Sequence, residues 1–271
     1  MSLSSWYEKE YNPRLTVSDA TKYFQRWAED SVRARASLPY LPDLRYGPGE
    51  KETLDLFPAV NSPFLLVFFH GGYWRAFDKS DFSWIAVPLV EAGISVAIVN
   101  YALCPSVTLP EIVDQCRRAV AWLYRNIPQY SINAPFVLSG HSAGGHLVAE
   151  LFSTNWERYR IPYEAFAGGI AISGLFDLEP LLNVSVNTDI RLTKEVARKM
   201  SPAYKKPWLR APLVVAVGAL ESSEFHRQSK LLVERWPGIA RGPIVVPGAH
   251  HFNILEALTS PQGPLYRELN C

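Results

Sequence analysis

The 271-residue chain contains 48% hydrophobic and 20% charged residues, which provides enough apolar material for a sizeable core and excludes a disordered chain. Lysine and arginine total 27 against 26 acidic residues, so no strong positive field is available for nucleic acid or an anionic membrane. No apolar run approaches the ~20 residues of a membrane span, and the first ten residues lack the apolar stretch of a signal peptide. We therefore expect one soluble, cytoplasmic domain over residues 1–271.

The first strong helical pattern covers residues 20–36. Its apolar positions recur at helical spacing, with charged residues mostly on the opposite face: Tyr23, Phe24, Trp27, Ala28 and Val32. The pattern predicts an amphipathic helix whose aromatic side chains pack on the core or cover a pocket. Residues 1–40 are therefore a candidate lid.

Farther along, short apolar runs alternate with longer helical patterns, which predicts a mostly parallel sheet in an α/β fold. An antiparallel pair is expected first, at Leu44–Tyr46 and Thr53–Phe57 around Gly47-Pro48-Gly49. The other predicted strands are Phe64–Phe69, Ile94–Val99, Phe136–Ser139, Gly168–Ile172, Leu213–Val217 and Ile244–Val246. The predicted helices are Ser80–Ala92, Leu109–Asn126, Ala143–Ser153 and Glu224–Trp236. The irregular stretch 176–207, with a predicted helix at Thr188–Met200, is a candidate cap insertion.

The cysteines of the chain are Cys104, Cys116 and Cys271. They are odd in number and widely spaced, without a Cys-x-x-Cys pair, so we expect free thiols rather than a metal or redox site. A homodimer is compatible with the sequence, which contains no signal for or against one.

The clearest chemical motif is Gly140-His141-Ser142-Ala143-Gly144, a G-x-S-x-G pattern between a predicted strand and a predicted helix. A sharp turn at this place holds the serine hydroxyl exposed above the sheet, with glycines that allow close backbone approach. The unpaired amides at the start of the helix favour negative charge beside Ser142, and Ala143 is the natural donor. Ser142 is therefore the candidate nucleophile of a serine hydrolase.

A second motif, His70-Gly71-Gly72-Tyr73-Trp74, follows the first long apolar strand. Lipases and esterases carry an oxyanion loop of this type at that position. We expect the amides of Gly72 and Tyr73 to donate to the oxyanion and His70 to support the loop. Tyr73, Trp74 and His141 are candidate substrate contacts.

The base of a Ser–acid–His triad must follow Ser142 in the chain, and three histidines lie beyond the following helix. His250 and His251 come just after the last predicted strand, whereas His226 lies in a helical pattern next to Arg227. His251 is preferred as the base because a helix is expected to start at the next residues. His250 is then a neighbour or substrate contact.

For the acid, Glu221 follows the strand at Leu213–Val217 and a small turn, where this fold places its carboxylate. Asp177, after an earlier strand, is the main alternative, and Glu224 is a weaker one.

At His70–Trp74, Ser139–His146, Ser173–Leu178 and Ser223–Ser229 the chain resembles the kynurenine formamidases, or arylformamidases, of the α/β-hydrolase superfamily, near the hormone-sensitive-lipase-like esterases. The resemblance extends from Trp6 to Glu256 and includes Tyr11-Asn-Pro-Arg14 and Glu52-Thr-Leu-Asp55. It implies that Ser142, Glu221 and His251 form the triad, although members of the family usually have aspartate at the position of Glu221.

The resemblance implies hydrolysis of N-formyl-kynurenine in tryptophan catabolism through an acyl-enzyme, with no metal or organic cofactor. The predicted partner is a small, flat aromatic substrate, which Trp6, Tyr11 and Trp27 are expected to cover. Two alternatives stay open at this point: a carboxylesterase for small acyl groups, and an α/β-hydrolase that binds without catalysis.

Overall fold

The computed structural model describes residues 3–270, and an eight-stranded sheet forms its centre. The strands are β1 (Leu41–Arg45), β2 (Thr53–Phe57), β3 (Leu65–Phe69), β4 (Ser95–Val99), β5 (Phe136–His141), β6 (Phe166–Ile172), β7 (Leu213–Gly218) and β8 (Ala240–Val246). Their order is β1-β2-β4-β3-β5-β6-β7-β8. The ladders β1–β2 and β2–β4 are antiparallel and the other five are parallel, which confirms the predicted α/β class.

From β3 to β8 a helix lies between each strand and the next, as parallel βαβ crossovers require, and further helices precede β1 and follow β8. The helices are α1 (Leu3–Tyr11), α2 (Pro13–Thr16), α3 (Ala20–Ser37), α4 (Ala86–Glu91), α5 (Leu109–Asn126), α6 (Ala143–Phe152), α7 (Asn187–Ile190), α8 (Lys194–Lys199), α9 (Ser223–Arg235), α10 (Glu256–Thr259) and α11 (Pro264–Arg267). None of the helices in residues 3–270 is long and apolar enough to cross a membrane.

Two apolar clusters cover the two faces of the sheet. The first contains buried side chains of α5, α6 and α9, and the second contains those of α3, α4 and the C-terminal helices. Strands β2 to β5 and β7 are buried along their whole length. This double cover explains why the central strands are apolar at nearly every position rather than at every second one.

Both ends of the sheet differ from the sequence prediction. Strand β1 covers Leu41–Arg45 rather than Leu44–Tyr46, because Pro42 is tolerated on an edge strand. Strand β8 begins at Ala240, well before the predicted Ile244. The Gly242-Pro243 pair lies beside an irregularity in the β7–β8 ladder.

The predicted helix Ser80–Ala92 is wrong in its first half, where two 3₁₀ turns precede α4. Arg35 of α3 donates to the carbonyl of Ser80 at 2.6 Å, and the amide of Trp84 donates to the hydroxyl of Ser31 at 3.3 Å. These contacts with α3 replace the i→i+4 bond that a continuous helix would form between Ser80 and Trp84.

The predicted helix Thr188–Met200 is also interrupted, and α7 and α8 take its place. Arg191 adopts a left-handed conformation at φ 53°, and the side chain of Asn187 accepts the amide of Leu192 at 2.7 Å. Thr193 then caps α8 through the amide of Val196 at 3.2 Å. These contacts end α7 and begin α8 within a stretch whose sequence pattern predicted one continuous helix.

In α3 the buried face differs slightly from the predicted one. Val32 is 60% exposed, whereas Ser31 and Ala34 are buried with Trp27.

Cys104 and Cys116 are free and buried, and burial raises the pKa of the Cys104 thiol to about 11. Cys271 lies outside the described residues.

Candidate active site

The turn from β5 into α6 carries Ser142 in a strained backbone conformation. Its φ is 57° and its ψ is −116°, a region that costs on the order of 1–3 kcal/mol for a residue with a Cβ. The turn can be this tight because Gly144 touches the neighbouring strand: a Cβ there would lie 1.9 Å from the carbonyl oxygen of Phe69. The glycine thus lets the start of α6 press against β3 and holds Ser142 at the end of the sheet.

The loop after β3 lies directly against this turn. A Cβ on Gly71 would lie 3.2 Å from the Cβ of Ser142, and Gly72 has a φ of 105° that side chains rarely adopt. The amides of Gly72 and Tyr73 make no backbone hydrogen bond within residues 3–270. Ala143 is the first residue of α6, where amides lack partners inside the helix. The amides of Gly72, Tyr73 and Ala143, which we expect to donate to the oxyanion, therefore lie near Ser142 without a backbone hydrogen-bond partner among the described residues.

His70 supports this loop from below, as expected. Its ring is fully buried and stacks on Tyr101 with ring centroids 4.2 Å apart. Nδ1 donates to the carbonyl of Gly71 at 2.8 Å, and the hydroxyl of Tyr101 donates to the His70 carbonyl at 2.6 Å. Burial lowers the pKa of His70 to about 4, so the ring is neutral at pH 7.

His251 and Glu221 meet at hydrogen-bond distance, with Nδ1 and Oε2 separated by 2.6 Å. The side chain of Glu221 is inaccessible to solvent. His251 lines the same cavity as Ser142, and both residues are buried. The structure thus places the predicted histidine in contact with the predicted carboxylate and in the wall of the same cavity as the predicted serine.

The second oxygen of the Glu221 carboxylate is also held. Oε1 accepts the amide of Gly218 at 2.8 Å and the hydroxyl of Ser173. Ser173 lies at the end of β6 in a left-handed conformation, with φ 50°. Sequence reasoning missed this residue, because nothing in the sequence marks a serine 48 positions before Glu221 as its partner.

His141 holds His251 from the other side. Its Nε2 lies 2.7 Å from the backbone oxygen of His251, and since a carbonyl only accepts, Nε2 carries the proton. Burial and the neighbouring His251 lower the pKa of His141 well below its usual value. His141 also lines the cavity, where it was expected to contact substrate.

The other candidate histidines face elsewhere. His250 lies 3.1 Å from the hydroxyl of Tyr23 through Nε2, while its Nδ1 accepts the amide of Phe252 at 3.1 Å. Burial lowers the pKa of His250. His226 lies within α9, as its helical pattern predicted.

The alternative acids are engaged in other contacts. Asp177 lies 3.3 Å from Arg227, and Glu224 accepts the hydroxyl of Tyr11 and contacts Arg227 at 2.9 Å. Of the three candidate acids, Glu221 is therefore the one that contacts a histidine.

Ser142 opens into a cavity of about 200 Å³ whose walls combine aromatic rings with polar and charged side chains. Tyr11, Trp27 and Tyr73 line it as expected, but Trp74 and Trp6 do not. The Trp74 indole is fully buried and packs edge-on against His146, with centroids 4.9 Å apart. The backbone of Trp74 is left-handed, at φ 55°, which turns the side chain into the core instead of the cavity.

Residues 56–232 match the family model BD-FAE. The chain is 34% identical to the kynurenine formamidase of Salmo salar over 93% of its own length and 90% of that protein. The chain belongs to this kynurenine formamidase branch of the α/β-hydrolases.

Solved structures share the fold of this chain. A crystal structure from Silicibacter sp. tm1040, of a protein assigned provisionally as a thioesterase, has 35% identity and a TM-score of 0.86, covering 97% of this chain and 98% of the other. An esterase of the bacterial hormone-sensitive lipase family shares the fold at 17% identity and a TM-score of 0.65, over 89% and 93% of the two chains. By its membership of the formamidase branch the protein is a serine hydrolase that acts on a small molecule.

In this branch member the N-terminal segment is anchored to the body by Tyr11. Its hydroxyl donates to Glu224 and accepts from Gln228 at 2.9 Å and Arg227 at 3.1 Å. Burial and the Glu224 carboxylate raise the pKa of Tyr11 far above its usual value.

Within residues 3–270 no three side chains of the metal-binding types are grouped to hold an ion.

Proposed function

We propose that the protein hydrolyses the formyl group from N-formyl-kynurenine or a closely related aryl amide. The observation that carries the proposal is the 2.6 Å contact between Glu221 and His251, because His251 lines the same cavity as Ser142. The 34% identity to a kynurenine formamidase over nearly the whole chain supports this choice of substrate.

In the proposed acylation step, His251 accepts the proton of the Ser142 hydroxyl through Nε2 as the oxygen attacks the formyl carbon. Glu221 fixes the tautomer with the proton on Nδ1 and stabilises the imidazolium that forms. The negative charge that develops on the carbonyl oxygen is bound by the amides of Gly72, Tyr73 and Ala143. His251 then returns its proton to the leaving amine as the carbon–nitrogen bond breaks.

Deacylation repeats the same proton path with water. His251 removes a proton from a water molecule, the water oxygen attacks the formyl ester on Ser142, and formate leaves as the serine recovers its proton. The chain's own residues supply every group that these steps need.

The size and lining of the cavity support a small aromatic substrate. Its volume of about 200 Å³ is below the roughly 300–1,000 Å³ typical of pockets for drug-sized ligands. Its walls include the rings of Phe24, Trp27, Phe77 and Phe252, which suit a flat aryl group.

We also propose that the chain is one domain with a cap made of two segments. Both the N-terminal segment and residues 184–186 contribute to the cavity wall. Glu8 of α1 accepts the amide of Ser185 at 2.7 Å and its hydroxyl at 2.8 Å, so the two segments are tied together over the pocket. A cytoplasmic location and a homodimer stay predictions from the sequence.

The decisive experiment measures formate release from N-formyl-kynurenine by the wild-type protein and by Ser142→Ala. We expect steady turnover in the wild type and its loss in the variant, which keeps its fold. Hydrolysis of p-nitrophenyl acetate by the same samples shows whether the serine is reactive. Brisk ester hydrolysis without formate release would refute the formamidase proposal and identify a carboxylesterase for small acyl groups.

A further inference from the structure

The cavity wall contains a cation whose role the chemistry at Ser142 does not explain. Arg14 lies in the short helix α2 and lines the same cavity as Ser142 and His251. Its guanidinium carbon sits 4.9 Å from the centroid of Phe24, whose ring also lines the cavity. The Arg14 side chain is thus held at the cavity by an aromatic face.

The other charged residues of the wall are already paired. Arg75 forms an ion pair with Asp189. Both oxygens of Glu8 accept hydrogen bonds, from Ser185 and from the side-chain amide of Asn12 at 2.9 Å. By contrast, no carboxylate within residues 3–270 lies within ion-pair distance of Arg14.

Among the described residues of the wall, Arg14 is therefore the arginine without a carboxylate partner. Partial burial and the charge of Arg75 lower the pKa of Arg14, but a guanidinium stays protonated at every pH of interest. A cation with unfilled donors in a substrate cavity favours an anionic ligand, and a planar guanidinium matches a carboxylate in two-point geometry.

We propose that Arg14 binds a carboxylate on the leaving group of the substrate, so that the enzyme selects acylated arylamines with an acidic side chain. This inference rests on the proposed function for the identity of the bond that is cleaved. N-formyl-kynurenine fits it, because its α-amino acid side chain supplies a carboxylate apart from the formyl group. Arg14 is a binding residue in this scheme and takes no part in proton transfer.

The test compares N-formyl-kynurenine with N-formylkynurenamine, which has the same aryl ketone and amine but no carboxylate. We expect Arg14→Gln to lower the ratio of kcat/KM for the two substrates about tenfold or more, through a higher KM for N-formyl-kynurenine at nearly constant kcat. Arg14→Lys retains the charge without the planar fork and should restore part of the ratio.

A matched control is available in Arg33→Gln. Arg33 is an arginine of α3 with a side chain 65% exposed, paired with Asp30 and outside the cavity. Its substitution should leave the substrate ratio unchanged. An unchanged ratio in Arg14→Gln, with formate release intact, would overturn the Arg14 proposal and leave the formamidase proposal standing.

Failure of the formamidase proposal itself gives a different result. If the wild type cleaves p-nitrophenyl acetate but releases no formate, inhibition of the ester reaction by kynurenine and by kynurenamine decides the role of Arg14. Stronger inhibition by kynurenine that disappears in Arg14→Gln supports the carboxylate site. Equal inhibition by the two amines would refute it.

Discussion

Glutamine has nearly the shape of glutamate, so Glu221→Gln removes a charge without opening a cavity. The Gly218 amide can only donate, so the glutamine oxygen must take the place of Oε1, 2.8 Å from that nitrogen. The glutamine NH₂ group then faces Nδ1 of His251, where Oε2 now lies at 2.6 Å. Because NH₂ only donates, Nδ1 must accept and the imidazole proton moves to Nε2. A His251 ring with its proton on Nε2 cannot accept the proton of Ser142.

The expected loss follows from this tautomer. In serine proteases the corresponding acid-to-amide change lowers kcat by about 10⁴-fold, or roughly 5.4 kcal/mol of barrier. We expect Glu221→Gln to lose about 10³–10⁴-fold in kcat with little change in KM, measured as initial rates of formate release or p-nitrophenyl acetate hydrolysis. Thermal melts followed by circular dichroism verify that the variant is folded.

Asp177→Asn is the matched control, because it makes the same chemical change at the rival carboxylate. Asp177 contacts Arg227 rather than a histidine, so kcat should change little. A folded Glu221→Gln protein with kcat within about tenfold of wild type, or a large loss confined to Asp177→Asn, would refute the assignment.

Three further changes test other parts of the structure. Gly144→Ala places a Cβ 1.9 Å from the Phe69 carbonyl, so the variant should fail to fold or lose more than about 4 kcal/mol in chemical denaturation; near-native stability would contradict the close contact. Trp74→Phe should cost about 1–3 kcal/mol of stability while KM stays constant, because the indole lies in the core; a changed KM at constant stability would restore Trp74 as a substrate contact. Burial holds the pKa of His70 at about 4 and that of His146 at about 3, below the unfolded value near 6.5, so protonation favours the unfolded chain. The stability that these two neutral histidines contribute is complete above pH 6.5 and falls by about 1 kcal/mol per histidine between pH 6.5 and 5.5. Urea titrations at both pH values measure this loss of stability. His146→Gln should reduce the loss, and an equal loss in the variant would contradict the lowered pKa of His146.

The central strands and the elbow could be predicted from the sequence because their signals are local. Buried parallel strands are apolar at nearly every position, and G-x-S-x-G needs only its own residues to form the turn at Ser142. The long helix α5 has a capping box at Thr108 and Glu111, and its predicted bounds match the structure.

The errors arose where a distant residue decides the local structure. Arg35 and Ser31 of α3 take the hydrogen bonds that would have continued the helix at Ser80, although they precede it by 45 positions or more. The hydrogen bond from Ser173 to Glu221 and the position of Arg14 in the cavity wall likewise depend on residues far apart in the chain. No short sequence pattern predicts such contacts.

The tie of Tyr11 to Glu224 and Gln228 has a consequence for biosynthesis. It joins residues more than 200 positions apart, and the wall of the cavity also includes residues as late as Phe252. While the chain is being translated, the N-terminal segment leaves the ribosome long before its docking site exists. The cavity beside Ser142 therefore cannot be completed until the chain has been translated past Phe252.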